Sequence, residues 1–183
     1  SLGELRKLFD DQNFKVKVLF DSGVTSQIAK GYIDKQYTLI RDNLGIDVDI
    51  QAIATKNEWQ SQVREAKSEG FTVIIVGLYQ TLVDDQGNNV PAEQVINWTN
   101  QHSELPIFAF WDFAVGEKKA VGGVVLFGHS QGEQAASLVN QIINNGHSKP
   151  IPIVTGNQGK AIYSEVERAR WSLEMPSHWR SID

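Results

Sequence analysis

The sequence FTVIIVGL, at residues 71–78, decides the fold because it is apolar almost without interruption and rich in valine and isoleucine. Such a run is typical of a central strand in a parallel sheet, where helices cover both faces and neither face is exposed to solvent. Further runs of strand composition lie on either side of it. They are residues 15–20, 46–50, 106–110 and 121–127.

Helical patterns fill the spaces between these strands. Residues 26–44 carry an apolar stripe at helical spacing, and Thr55 forms a capping box with Glu58 at the start of the next helix. Pro91 suits the first position of another helix, and residues 131–145 form a long helix after the last of these strands. The alternation predicts an α/β fold, a doubly wound, mostly parallel sheet with helices on both faces.

The carboxyl-terminal part predicts a proline-limited edge strand at residues 150–154 and a final helix over residues 158–171. A length of 183 residues fits one domain or one large lobe of a two-lobed protein. Because the chain opens directly on a helical pattern at Leu2 and Leu5, we expect residues 1–183 to be a single lobe from a longer, two-lobed protein.

Composition argues against several classes of function. The net charge of −5 disfavours a nucleic-acid partner, since no excess of lysine and arginine is present to neutralise phosphates. The absence of cysteine excludes disulfides and thiolate catalysis, and four scattered histidines predict no metal site. The sequence contains neither a G-x-G-x-x-G motif nor a Walker lysine, so we expect no cofactor.

The motif GHSQG, at residues 128–132, matches the G-x-S-x-G turn of serine hydrolases, with Ser130 as the nucleophile. A triad of that fold needs an acid and then a histidine after the serine, and the short remainder of the chain holds only His147 and His178. We expect instead that Ser130 caps a helix beginning at Gln131. The protein is therefore not expected to be an enzyme, and a serine hydrolase using Ser130 is the remote alternative.

The loop after the first strand carries hydroxyl groups at the start of a helix. A haloacid-type phosphatase would need a second aspartate two residues after Asp21, where Gly23 stands. We interpret Ser22, Thr25 and Ser26 as donors at a helix N terminus that receive an anionic group of a small ligand. A plain helix cap and a flavodoxin-like phosphate loop are the alternatives.

The triplet Trp111-Asp112-Phe113 follows a predicted strand and so comes at the carboxyl edge of the sheet, where parallel sheets bind ligands. Two aromatic rings on either side of a carboxylate can clamp the apolar part of a ligand and pair with its cationic group. The alternative places Trp111 and Phe113 in the core and uses Asp112 to cap a turn.

The order of these features resembles the ABC-transporter substrate-binding family, whose members have a periplasmic-binding-protein-like fold of type I. Residues 2–20, which end in KVKVLF, look like the entry into the second lobe of these proteins. The run PIFAF from Pro106, the run AVGEKKAVGG from Ala114 and the run G-x-x-x-G-E-Q-A-A-S-L-V-N-Q-I-I from Gly128 then follow in the order that the family shows.

The resemblance implies two lobes that close on a small ligand, such as an amino acid or a similar metabolite. By matching loop positions, it places Ser22, Tyr79, Trp111 and Asp112 at the cleft. The carboxyl-terminal run ERARW from Glu167 is more similar to family members that are fused to membrane-bound sensor proteins.

This resemblance implies a ligand-sensing domain of a membrane sensor protein, located in the periplasm or otherwise outside the cytoplasm as part of an inner-membrane protein. The solute-binding component of an ABC importer is the alternative. The expected partners are the small-molecule ligand and either the membrane-anchored parent protein or an ABC permease. A homodimer through the face that the first lobe would cover is a further expectation.

Overall fold

A sheet of seven strands forms the centre of the described part of the chain, residues 2–9, 13–145, 153–156 and 158–183 of a computed structural model. The elements follow in the order α1 (Leu2–Arg6), β1 (Lys15–Asp21), α2 (Val24–Lys35), α3 (Tyr37–Leu44), β2 (Asp47–Ile53), α4 (Lys56–Glu65), β3 (Val73–Val76), α5 (Ala92–His102), β4 (Ile107–Ala109), a 3₁₀ turn (Asp112–Ala114), β5 (Gly122–Val125), α6 (Gly128–Asn145), β6 (Lys160–Tyr163), α7 (Glu165–Arg170) and β7 (Arg180–Ser181).

The strands lie in the order β2-β1-β3-β4-β5-β6-β7. The first five strands in that order are parallel, β6 pairs antiparallel with β5, and β7 lies parallel to β6. Helices cover both faces of the sheet. The predicted α/β fold, a doubly wound and mostly parallel sheet, is therefore confirmed.

The central strand β3 is buried at all four of its positions. Ile74 and Val76 belong to the core on one face of the sheet, whereas Val73 and Ile75 belong to the core on the other face. Because successive side chains of a strand point to opposite faces, a strand covered on both sides needs an apolar residue at every position. This requirement accounts for the uninterrupted run in the sequence.

The helices change faces between β1 and β3. Helices α2 and α3 contribute to the core that contains Val73, whereas α4 and α5 contribute to the core that contains Ile74. Strand β2 lies on one side of β1 and β3 on the other, so the chain winds in both directions from this pair. In sheets of this order, the crevice at that position is where ligands bind.

The predicted helix boundaries are confirmed in part. The Thr55 hydroxyl accepts the backbone N–H of Glu58 at 3.3 Å, which is the predicted cap of α4. Residues 26–44 form two helices instead of one, because the backbone of Gln36 leaves the helical path with φ −100° and ψ 1°. Pro91 is the cap residue before α5 and not its first helical residue.

The predicted helix over residues 158–171 is wrong in its first half, where Lys160–Tyr163 form strand β6. Only Glu165–Arg170 are helical. A Cβ atom on Gly122 would lie 2.4 Å from the carbonyl oxygen of Ile162, so β6 approaches β5 as closely as glycine alone allows. Pairing with a strand that is distant in sequence overrides the local helical pattern.

Helix α6 is exposed over most of its length and has no buried side chain among its described residues. It begins at Gly128 instead of Gln131. Of the strand predicted at residues 150–154, residues 150–152 lie outside the described residues, and Ile153 and Val154 are not in a strand. Within the described residues, no helix is long and apolar enough to cross a membrane.

Candidate functional site

The loops that follow β1 and β3 are joined at the carboxyl edge of the sheet by the side chain of Asp21, which is 2% exposed. Its Oδ1 accepts the Gly23 N–H at 3.1 Å and the Ser26 hydroxyl at 2.5 Å. Its Oδ2 accepts the Thr81 N–H at 3.0 Å. One buried carboxylate therefore fixes both loops at the point where the helices change faces.

The interpretation of Ser26 as a donor to a ligand anion is wrong, because its buried hydroxyl donates to Asp21. Ser22 and Thr25 are exposed at the same edge, as the sequence predicts for residues that face a cleft. The role of Asp21 was not predicted, since its position in the sequence suggested only a phosphatase nucleophile. An acid at the end of a buried strand, five residues before a serine, was the available signal.

Trp111 and Phe113 form a stacked aromatic pair that we call the aromatic shelf. Their ring centroids are 6.1 Å apart, with an angle of 15° between the planes. Trp111 is half-buried and Phe113 is 43% exposed, and neither belongs to the two core clusters. The shelf is therefore a flat apolar surface at the carboxyl edge, and the alternative that both rings are core is wrong.

Tyr79 lies beneath the shelf and not at the open surface, which corrects the position expected from the resemblance. Its ring is 2% exposed and contacts Phe113 and Trp59, at centroid distances of 6.0 and 6.4 Å. After β3 the chain turns inwards, and Leu82 is fully buried as well. Burial, with a smaller effect from the charge of Glu93, raises the pKa of the Tyr79 phenol far above its usual value, so the hydroxyl stays protonated.

Asp112 begins the 3₁₀ turn next to the shelf. Its backbone N–H donates to the carbonyl of Leu126 at 3.2 Å, which fixes the main chain between β4 and β5. Its carboxylate makes no hydrogen bond or ion pair with the described residues, and it does not cap the turn. The charge of Asp112 is therefore available to a ligand cation beside the shelf.

An apolar groove of about 440 Å³ adjoins the other side of Trp111, between α2 and the sheet. Phe20 and Phe110 form its floor with stacked rings 6.0 Å apart. The remaining lining residues include Tyr32, Ile33, Val124 and Leu126. Trp111 thus belongs to both the groove and the shelf. The groove could not be predicted from the sequence, because it depends on contacts between separate elements.

Ser130 lies in the first turn of α6 and is not the residue that caps it, so its predicted capping role is wrong. Three of the four histidines lie in the described residues. His102 stacks on Trp98, His129 pairs with Glu133 one turn along the helix, and His178 contacts Glu4 of α1. His147 lies outside the described residues.

Within the described residues, no group of three or more histidine, aspartate or glutamate side chains could hold a metal ion. The chemistry of the carboxyl edge is therefore that of an aromatic surface, a carboxylate and exposed hydroxyl groups. Such a set of groups can stack on an apolar ring and pair with a cation.

The chain is similar to known proteins in its structure but not detectably in its sequence. No protein-family profile and no curated protein matches the sequence. An ABC domain from Streptococcus pneumonia, solved in complex with L-Trp, is 18% identical with a TM-score of 0.70. A substrate-binding protein with adhesive properties from Clostridium difficile, in its ligand-free open structure, is 18% identical with a TM-score of 0.68. A conserved domain protein from Vibrio cholerae is 16% identical with a TM-score of 0.66.

The match covers 97–98% of this chain but only 58–59% of each of these three proteins. The chain therefore spans less than two thirds of the length of the relatives to which it is similar. At these identities the likeness shows the fold. The described chain has the α/β fold found in substrate-binding proteins.

Proposed function

We propose that this chain is one lobe of a two-lobed protein that binds a small molecule outside the cytoplasm. The observation that carries the proposal is the partly exposed aromatic shelf, with the carboxylate of Asp112, unpaired among the described residues, beside it at the carboxyl edge of a doubly wound sheet. Ligands of such sheets bind outside the carboxyl ends of the strands. The protein is proposed to be a binding protein and not an enzyme.

The ligand that fits this shelf has a planar apolar part and a cationic group, as in an amino acid or a similar metabolite. Trp111 and Phe113 offer flat surfaces at a small cost in conformational entropy, and Asp112 can accept a charge-assisted hydrogen bond from an ammonium group. The L-Trp complex of the Streptococcus relative agrees with this ligand class. Ser22 is proposed as a further contact from the loop after β1.

The first lobe of the two-lobed protein is proposed to cover the apolar surface of α6. Val139, Ile142 and Ile143 of this helix are exposed, as are Ile153 and Val154 on the return to β6. Each such side chain gains roughly 1.5–3 kcal/mol when it is fully buried, so a lobe on this surface would be strongly favoured. The greater length of the three relatives supports the presence of such a lobe.

The output of binding is proposed to be a signal from a membrane sensor protein, with the membrane-anchored parent protein as the partner. Its support is the resemblance of the carboxyl-terminal run to sensor-fused members of the family. The alternative is the solute-binding component of an ABC importer, with a permease as partner. A transmembrane helix encoded shortly after Asp183 would favour the sensor, and a stop codon there would favour the importer.

A thermal-shift screen of amino acids and small metabolites tests the proposed binding. A ligand that binds only the native state at 100 times its Kd raises the stability by about 2.7 kcal/mol. We expect hits that contain a planar ring and an ammonium group, with a loss of the shift in Trp111→Ala. Trp171→Ala is the matched control, because β6 runs antiparallel to β5, so that α7 and Trp171 follow β6 at the amino edge of the parallel strands. Hits that are insensitive to Trp111→Ala would contradict this site.

A further inference from the structure

The crevice between β1 and β3 already contains a negative charge. The carboxylate of Asp21 accepts hydrogen bonds from Gly23, Ser26 and Thr81 at 2.5–3.1 Å. Two of these donors lie at the N-terminal end of α2, and the third lies in the loop after β3. Asp21 therefore occupies the position at which a doubly wound sheet of this order offers donors to a ligand.

An anion from solution would need the same donors. The N terminus of a helix carries about half a positive charge and free N–H groups, for which reason phosphates and carboxylates bind there. At α2 the side chain of Asp21 takes this place, and it forms no ion pair with a described residue. Its full negative charge exceeds the opposing half charge of the helix, so the crevice disfavours a second anion.

The same charge acts on the neighbouring shelf. The loops after β1 and β4 are separated by two strand spacings, or about 10 Å. At an effective dielectric constant of about 20, two like charges at that distance change an affinity by about tenfold. Asp112, which also lacks an ion-pair partner among the described residues, adds to this field.

We propose that Asp21 is a positioning and specificity-determining residue, which fills the anion position of the fold with an internal charge and joins the two loops of the cleft. This inference rests on the proposed function. The lobe then accepts ligands that present a cationic or neutral group at this edge, and it rejects ligands that present a carboxylate or a phosphate there. Any carboxylate of the ligand is bound outside this lobe.

Three indoles that carry a cationic, a neutral or an anionic substituent at the same ring position test the specificity. Tryptamine, 3-methylindole and indole-3-acetate are titrated into the unmodified chain, and their affinities are measured by ligand-observed NMR. We expect tryptamine to bind at least about tenfold more tightly than indole-3-acetate, with 3-methylindole between them. Equal affinities for the cation and the anion would overturn the inference. If no indole binds, the proposed ligand class fails, and the next experiment still decides the role of Asp21.

Inorganic phosphate is the second probe, and the amide signals of Gly23 and Thr81 report its binding. We expect no saturable shifts in the unmodified chain or in Asp42→Ala, which removes an exposed carboxylate of α3 and changes the net charge equally. Asp21→Ala frees the donors, so phosphate should bind at least about tenfold more tightly than to the control.

Asp21→Asn guards against a failure of the alanine variant to fold, because it retains the size and one acceptor oxygen of the side chain. We expect it to bind phosphate more tightly than Asp42→Ala. Saturable shifts of Gly23 and Thr81 in the unmodified chain would overturn the inference. The inference would also be overturned if an Asp21 variant folds but gains no affinity for phosphate. In that case, binding of tryptamine to the unmodified chain would still support the proposed function.

Discussion

The indole Nε1 of Trp59 donates to the hydroxyl of Thr99 at 2.8 Å, which joins α4 to α5 on one face of the sheet. The Thr99 hydroxyl in turn donates to the carbonyl of Val95 at 2.8 Å. Trp59 is 1% exposed and Thr99 is fully buried. The indole therefore fills the space between the helices, and its one polar atom has a partner inside the core.

We predict that Trp59→Ala lowers the free energy of unfolding by about 3–5 kcal/mol, because it removes a fully buried ring. Trp59→Phe is the comparator, since it keeps an aromatic ring and loses the hydrogen bond to Thr99, for which about 1 kcal/mol is expected. Urea-induced unfolding, followed by circular dichroism, measures both changes. A loss below about 1 kcal/mol for Trp59→Ala would contradict the packing described here.

The sequence predicted much of this core, because helix and strand periodicity are local properties. Trp59 and Val63 are four residues apart after the Thr55 cap, a spacing that places both side chains on one helix face, and each is 1% exposed. Strand β6 could not be predicted in this way. Its pairing depends on the absence of a side chain at Gly122, which is far away in sequence.

The candidate site was predicted less completely than the core. The position of Trp111 and Asp112 after a strand was sufficient to place them at the carboxyl edge. The resemblance placed Tyr79 there as well, yet its ring turns inwards beneath Phe113. The direction of a loop side chain depends on the space that other elements leave for it, and a single sequence does not contain that information. For the same reason, the hydrogen bond that Asp21 accepts from the backbone N–H of Thr81 was not predicted.

The buried carboxylate of Glu167, which is 3% exposed, provides a second test of stability. It accepts the N–H of Lys118 at 2.8 Å and the side-chain amide of Asn100 at 2.9 Å, and it pairs with Arg170. Lys118 has φ 60°, so this bond holds a non-glycine residue in the left-handed region. We predict that Glu167→Gln lowers the free energy of unfolding by about 1–3 kcal/mol, because one buried donor loses its acceptor.

Glu165→Gln is the matched control for Glu167→Gln, since Glu165 lies on the same helix and pairs with Arg168 at the surface. We expect its effect to be within about 1 kcal/mol, as for other exposed ion pairs. Chemical denaturation of both variants measures the difference. Equal effects at the two positions would mean that burial of the Glu167 carboxylate does not contribute to stability.

The loop after β3 should lose order in acid. The carboxylate of Asp84 accepts the backbone N–H groups of Asn88 and Gln86 at 2.8 and 2.9 Å, and these bonds hold the pKa of Asp84 below its usual value, the Asn88 bond most strongly. A lowered pKa in the folded state means that the stabilisation is present above the unfolded pKa and is lost as the pH falls through the folded pKa. We therefore predict that the protection of the Asn88 amide, its exchange rate relative to that of the unfolded chain at the same pH, falls below about pH 4.

Amide exchange of Asn88, followed by NMR from pH 6 to about pH 2, measures this loss of order. In Asp84→Asn the side chain does not titrate, so the acid-dependent change should disappear. A change of the same size in the variant would assign the effect to another group.

We predict that Ser130 is not a nucleophile. It lies within the first turn of α6, and the three described histidines have other partners. A fluorophosphonate probe should therefore leave Ser130 unlabelled, as measured by mass spectrometry of the intact chain and of its peptides. Labelling that disappears in Ser130→Ala would support a serine hydrolase instead.

The last prediction concerns Asp112 and the shelf. The carboxylate is half-buried, lies next to the partly exposed pair of rings and has no partner among the described residues, so we expect its replacement to leave the fold intact. We predict that Asp112→Asn lowers the affinity for a cationic ligand by about 1.5–3 kcal/mol, the contribution of a charge-assisted hydrogen bond. Trp111→Ala should also weaken binding, because the ligand loses the flat surface on which it stacks. Calorimetric titration of the proposed two-lobed protein with a ligand from the screen measures both affinities.

Glu117→Gln is the control for Asp112→Asn, because Glu117 is an exposed acid on the same connection between β4 and β5. Both substitutions remove one negative charge. We expect an unchanged affinity for this variant, since at an exposed position the effect of a distant charge is screened by salt. An equal loss in both acid variants would indicate a general effect of net charge. If Asp112→Asn and Trp111→Ala both bind as tightly as the unmodified protein, the ligand contacts another part of the carboxyl edge, and the exposed hydroxyls of Ser22 and Thr25 become the next positions to replace.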